Sequence, residues 1–380
     1  MKFDYNLKNY DYRLLLYMVT LNILGVVIMR SAIGAADFRD SQVVRQIIGS
    51  FAGLIVCIVL SLIDYRRIVR QSHLIYLFSV LMLLGVKIYG TASGHGAVRW
   101  IQVPLLGQIQ PAEFVKIGLI IFYAYYFHKA KDQINSPRTI LIAFTTYLVP
   151  ISLVLLQPNL STAIIMSVII MAIVFASNIS YKWIVGVLLS TVPFVLFFVY
   201  LFKSGLYDRI PFLQGYQAER ILTFLNPSDN SQTFYQQMYS IMAIGSGQFS
   251  GKGLNNDSIF SVKNGNFLAE EDNDFIFAVI GEELGFRGSI IIVIIFLLII
   301  IECLIIASKA KKMSGRLICV GMMAWIGFQT YTNIAVATGI FPNTGITLPF
   351  FSRGASSLIS VYIGMGLVLN VALQRRDGVV

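Results

Sequence analysis

Glu113 and Lys116 stand three residues apart in the otherwise apolar stretch PAEFVKIGLIIF, so a helix would put them on one face. Asp274 opens a second apolar stretch, directly behind the acidic run Glu270, Glu271 and Asp272. Asn159 sits with Gln157 in a QPN turn between two apolar runs, while Arg99, Arg220, Lys252 and Arg353 fall in polar connections. A carboxylate can remove a proton from an attacking hydroxyl, and cations can hold phosphate and stabilise a departing anion. Other chemistries find less support. There is no Gly-x-Ser-x-Gly elbow, and His73, His95 and His128 are too scattered for a His-based metal site. Cys57, Cys303 and Cys319 all lie in apolar runs, which indicates no disulfide framework. What remains is carboxylate and cation chemistry, suited to an anionic substrate.

Each of these groups also has a plainer reading. Glu113 and Lys116 can neutralise one another so that a span inserts. Carboxylates at residues 270–274 favour a helix start, where the dipole is positive. Arg99-Trp100 reads as an interfacial anchor. Gly245, Gly247, Gly251 and Gly253 around Lys252 could cradle a phosphate through backbone amides, but their spacing matches no Walker loop and a flexible turn serves equally.

The elements that must position these residues follow from composition. Of 380 residues, 56% are hydrophobic and only 13% are charged, about half the charged share of a soluble domain. That excludes a soluble enzyme, a secreted scaffold and a disordered chain. The pattern predicts an all-α polytopic membrane protein, one integral domain over 1–380. Ten apolar runs are long enough to cross a bilayer: about 12–32, 46–65, 73–91, 112–129, 139–156, 159–177, 181–203, 273–308, 316–338 and 354–374. The eighth is too long for one crossing and contains Gly281, Gly285 and Gly288, which predicts a short membrane-edge helix, a break near 285–288, and then the crossing. The first span lacks a cleavage pattern and is expected to be retained.

With the N-terminus inside, 16 of the 29 Lys and Arg fall in cytoplasmic loops and tails, including the Arg66/Arg67/Arg70 and Lys309/Lys311/Lys312/Arg316 clusters. The positive-inside rule therefore places both termini in the cytoplasm, and the excess of +10 suits anionic lipid rather than nucleic acid. A polar loop over about 204–272 lies outside, and its Tyr235–Ser246 stretch predicts an amphipathic helix at the membrane surface. In this orientation the acids and bases gather at the outer ends of separate spans. An ionisable side chain in a span costs about 2.5–3.5 kcal/mol, so each one needs a partner or a purpose.

Several stretches in order resemble the SEDS (shape, elongation, division and sporulation) family, which includes RodA, FtsW and SpoVE. They are GAVRW (96–100), QPAEFVK (110–116), LLQPNLSTA (155–163), ERILTFLNP (219–227), AIGSGQFSGKGL (243–254), DFIFAVIGEELGFRG (274–288) and TGIFPNTGITLPFFSRGASSL (338–358). The resemblance implies ten crossings with a large outer loop, and a peptidoglycan glycosyltransferase that polymerises lipid II at the outer face of the cytoplasmic membrane of a bacterium. The family's catalytic Asp falls on Asp274, which would act as general base on the acceptor's 4-hydroxyl as it displaces a polyprenyl diphosphate. An ordinary Asp pKa of about 3.9 makes a weak base, so partial desolvation or nearby carboxylates should raise it. Arg99, Lys116, Arg220 and Lys252 become candidates for the diphosphates, with Glu113 positioning Lys116, and Asn159 and Glu270 beside the substrate. A divalent cation such as Mg²⁺ held by few ligands would suit the diphosphate, although no dedicated cage is visible. The implied partner is a class B penicillin-binding protein, a transpeptidase.

Three departures from the family pattern stand out. QPDLGTA reads QPNLSTA here, so Asn159 replaces a frequently acidic position and Ser161 a Gly. Ser-Tyr-Gly-Gly-Ser reads Ser352-Arg353-Gly354-Ala355-Ser356, which adds an outer cation. Pro-Glu-x-His-Thr-Asp reads Ala269-Glu270-Glu271-Asp272-Asn273-Asp274, keeping Glu270 and Asp274 but losing the His and Thr. They motivate a non-catalytic scaffold as an alternative, and ten spans with internal polar residues motivate a lipid II flippase. The short tails favour an elongation role over a division or sporulation one.

Overall fold

The computed structural model describes residues 9–34, 38–93, 97–103, 107–205, 215–225, 232–255 and 272–375. Helices fill the ten expected ranges: α1 (Tyr12–Ala32), α2 (Ser41–Leu62), α4 (Ser72–Tyr89), α5 (Pro111–Lys129), α6 (Pro137–Leu156), α7 (Leu160–Ala176), α8 (Tyr181–Lys203), α11 (Ile276–Ser308), α12 (Met313–Ala337) and α13 (Ala355–Leu373). A short α3 (Tyr65–Arg70) joins α2 to α4, and α9 (Gly215–Leu225) and α10 (Gln232–Ser246) lie in the large loop. By length and composition, α1, α2, α4, α6, α11 and α13 are long and apolar enough to cross a membrane.

Helix starts are written in the sequence. Asp11, Asp40 and Asp64 each accept a backbone N–H from the first turn of α1, α2 and α3, and Ser136 caps α6 ahead of Pro137. Packing then separates the helices into two kinds. α5, α12 and α13 are buried along most of their length, with Trp325, Tyr123 and Phe127 shut away from the surface, whereas α2, α4 and α6 keep broad apolar faces outward, as lipid requires. At the expected inner end, Asn370 of α13 accepts from the Tyr65 N–H at 2.8 Å and donates to the Ser61 carbonyl at 2.7 Å, fixing α13 against α2 and α3.

Two features differ from the expectation. A small antiparallel sheet, β1 (Gly90–Ser93), β2 (Ala97–Val103) and β3 (Gly107–Ile109), occupies the connection between α4 and α5, with β2 in the middle. Arg99 and Trp100 therefore belong to a strand. Its strands are too short to register as apolar runs. Second, α10 does not simply rest on a membrane surface. Its Ser240 donates to the Ala337 carbonyl at 2.7 Å and its Gln237 to the Val336 carbonyl at 2.9 Å, while Ala243 packs with Phe275, Ala278 and Val336. Ile241 and Met242 face outward on the other side.

The long α11 breaks where expected. Gly285 alone leaves helical geometry, at φ 64° and ψ −164°, a region essentially confined to glycine.

Candidate active site

Residues 272–275 form the turn that leads into α11. Its three successive carbonyls are each taken up by a different donor. The Arg353 N–H donates to the Asp272 carbonyl at 2.9 Å, the Ser352 hydroxyl to that of Asn273 at 2.6 Å, and the Asn333 amide of α12 to that of Asp274 at 2.9 Å. Asn333 also donates to the Ile346 carbonyl at 2.7 Å, so one amide joins the turn to the loop before α13. The Arg353 guanidinium adds an ion pair to the Asp272 carboxylate at 2.8 Å. A backbone tied in this way fixes where the next side chain can go.

The Asp274 side chain goes to Gly345. A Cβ placed on Gly345 would lie 3.4 Å from Asp274 Oδ2 and 3.5 Å from Arg220 Nη1. The carboxylate oxygen and the guanidinium nitrogen are thus no farther apart than those two distances together, about 7 Å. Gly345 has φ 68°, which favours glycine, and its missing side chain leaves the space in which the two charges approach. Arg220 comes from α9, and Asp274 from the start of α11. The neighbouring Thr344 carbonyl accepts from Ser161 on α7, which brings a third segment to the same loop.

Glu113 and Lys116 form a buried pair at 2.7 Å, with Lys116 wholly inaccessible. The ammonium lies over Trp325, 4.4 Å from the ring centroid, and donates to Gln329 Oε1 at 3.3 Å. Gln329 passes the connection on, donating to the Thr347 carbonyl at 2.9 Å, two residues from Gly345. Lys116 therefore reaches the Asp274 neighbourhood through an amide and a backbone carbonyl. Glu113 Oε2 and Asn159 Nδ2 are buried without hydrogen-bond partners among the described residues. Asn159 itself caps α7, its Oδ1 accepting the Thr162 N–H at 3.3 Å.

The remaining cations are placed differently. Arg99 reaches from β2 to the QPN turn, donating to the Gln157 carbonyl at 3.2 Å and to that of Pro158. Gln217 of α9 donates to the same Pro158 carbonyl at 2.9 Å, so that turn is clamped from two sides. Lys252 pairs with Glu282 at 2.6 Å beside the break in α11, not with Asp274. The glycines around it serve that break: the Lys252 and Gly253 N–H groups donate to the Glu282 and Glu283 carbonyls at 2.9 and 3.0 Å. Glu270 lies outside the described residues. Thus the fold gathers Asp274 and Arg220 directly and Lys116 with Glu113 through Gln329, sets Asn159 and Arg99 at the adjoining α7 turn, and leaves Lys252 at a separate place.

Gln329, Asn333, Gly345 and Ser352 were not among the expected site residues. Gln329 and Asn333 are buried amides four apart on α12 and share a face. Extending the test for costly polar residues within a span from charged groups to amides would have found both.

A family model for FtsW/RodA/SpoVE, described as cell cycle protein, matches residues 12–377. The chain is 33% identical over 392 residues to a probable peptidoglycan glycosyltransferase FtsW of Geobacter metallireducens, covering 99% of each chain. Its fold is similar to a chain in a solved peptidoglycan synthase complex that coordinates polymerization and crosslinking, with TM-score 0.79, 27% identity, and 97% and 99% coverage. It is also similar to a point mutant of the rod shape determining protein RodA of Thermus thermophilus, with TM-score 0.69, 26% identity, and 97% and 99% coverage. A match running almost from end to end, over a bundle of this architecture, makes the chain a multi-pass membrane protein that belongs to the FtsW/RodA/SpoVE family.

Proposed function

We propose that this chain is a peptidoglycan glycosyltransferase that polymerises lipid II at the outer face of the cytoplasmic membrane, with both termini inside. The observation that carries the reading is the Asp274 carboxylate, on a turn tied at three successive carbonyls and facing Arg220 across Gly345. Asp274 takes the proton of the acceptor's 4-hydroxyl as its oxygen bonds to the donor's anomeric carbon. The bond from that carbon to the diphosphate breaks, and the polyprenyl diphosphate leaves with the electron pair. Arg220 meets the charge that builds on the leaving group, a role supported by its approach to Asp274 at Gly345, since a fixed cation in a sheltered site has its largest effect. Lys116, paired with Glu113, connects to the 344–347 loop through Gln329 and helps to order it.

Neither departure at the α7 turn argues against activity. Asn159 caps the helix as an Asp would, and Ser161 gains a bond to the Thr344 carbonyl. For a divalent cation the donors are sparse, because no three His, Cys, Asp or Glu side chains gather among the described residues.

A class B penicillin-binding protein is the proposed partner, in keeping with the synthase complex that holds a relative. The relatives' names include both FtsW and RodA; elongation is the first proposed role, with division or sporulation as the alternatives. The test is polymerisation of fluorescent lipid II by the purified protein with that partner. Glycan ladders are expected from wild type, with a loss of about 10²–10⁴-fold in Asp274→Ala. Full activity in the variant would remove Asp274 from the mechanism.

A further inference from the structure

Two of the three departures from the family pattern meet in space. Asp272 stands where the pattern has His, and Arg353 where it has Tyr, eighty-one positions later. In the fold their side chains form an ion pair at 2.8 Å, two residues before Asp274. The contact is doubled through the backbone, since the Arg353 N–H donates to the Asp272 carbonyl at 2.9 Å. Arg353 Nη1 donates to Gln42 Oε1 as well, at 2.9 Å, which anchors the guanidinium on the first turn of α2. The Asp272 side chain is 11% exposed and that of Arg353 49%. So open a pair contributes little to overall stability. Its geometry nonetheless spans three elements, α2, the loop before α13 and the turn before α11, at the point where Asp274 is aimed.

We propose that Asp272 and Arg353 are a matched pair of positioning residues that together set the orientation of the Asp274 turn, in place of the His and Tyr of the family pattern. The inference rests on Asp274 being the general base. Neither residue touches the reacting atoms. Its action is through the placement of Asp274, so losing it reduces turnover rather than substrate binding.

The test uses the full chain with its class B partner and fluorescent lipid II, reading kcat and KM separately and Tm alongside. Arg353→Gln and Asp272→Asn are each expected to lower kcat about tenfold with KM and Tm little changed. Arg353→Lys keeps the charge and should retain most of the rate. The double variant Asp272→Asn/Arg353→Gln should lose no more than the worse single one. The double exchange Asp272→His/Arg353→Tyr should recover activity that Arg353→Tyr alone loses. Independent, additive losses, or singles with full kcat, would overturn the pairing while leaving Asp274 in place, provided Asp274→Ala is silent in the same assay. Activity in Asp274→Ala, or a silent wild type beside an active relative, would overturn the general-base reading and the pairing with it.

Discussion

Two places in this molecule bring a carboxylate to a cation beside glycine, and they are built for opposite ends. At the break in α11, Lys252 pairs with Glu282, and the Lys252, Gly253, Phe286 and Arg287 N–H groups are all spent on carbonyls of the facing segment. The 247–253 loop plugs the gap that Gly285 opens in the helix. At the Asp274 turn the backbone carbonyls are met from elsewhere, by Arg353, Ser352 and Asn333, and two side chains of opposite charge converge on the space left by the missing Cβ of Gly345. Residue types alone do not distinguish the two. What distinguishes them is whether the local N–H and C=O groups are consumed within the cluster, which makes a joint, or tied off outside it, which leaves side chains to act.

Substitutions can break this comparison if it is wrong. Arg220→Gln should cause the largest change, lowering kcat/KM for polymerisation about 10²-fold while Tm stays near wild type. A fall in Tm with the rate per folded molecule intact would make the Gly345 cluster a joint as well. Gly285→Ala should do the reverse. It forces a side chain into a backbone region reserved for glycine and against the Gly251 N–H, at a cost of about 1–3 kcal/mol in stability. Thermal unfolding in detergent checks this, and polymerisation by the surviving folded fraction should be near normal. Smallest is the effect at the α7 turn. Asn159→Ala should cost about 1 kcal/mol through the lost cap, whereas Asn159→Asp, which caps equally well, should be nearly neutral by the same measurement. An Asn159→Asp variant that gains activity several-fold would instead give the missing charge a chemical role.

The sequence announced its helices through apolar length, and the glycine-rich part of the eighth run announced its break within a few residues of Gly285. The three-stranded sheet between α4 and α5 was hidden because strands of four, seven and three residues carry too little pattern, and Arg99-Trp100 reads as an interfacial anchor when seen alone. Charged site residues were legible because burying Lys116 or Glu113 is costly enough to require a reason. Gln329 and Asn333 carry smaller penalties and passed unnoticed, although they connect the charged groups to the loop. Gly345 has no side chain to notice at all. Arg353 was visible as an extra outer cation, but its match with Asp272 depends on a contact between distant segments, which one sequence does not display.

The break in α11 also assigns its two halves to different environments. The 23 residues from Phe286 to Ser308, at 1.5 Å each, reach about 35 Å, enough to cross the roughly 30 Å of hydrocarbon unaided. That half shows lipid its exposed Phe286, Ile291, Ile294, Leu297 and Ile301. From Ile276 to Glu283, every residue is instead buried in protein. Bilayer thickness therefore acts on the distal half, and the segment that carries Asp274 takes its position from α10 and α12. A cell could thicken or thin its membrane, and tilt the crossing to suit, without moving the carboxylate.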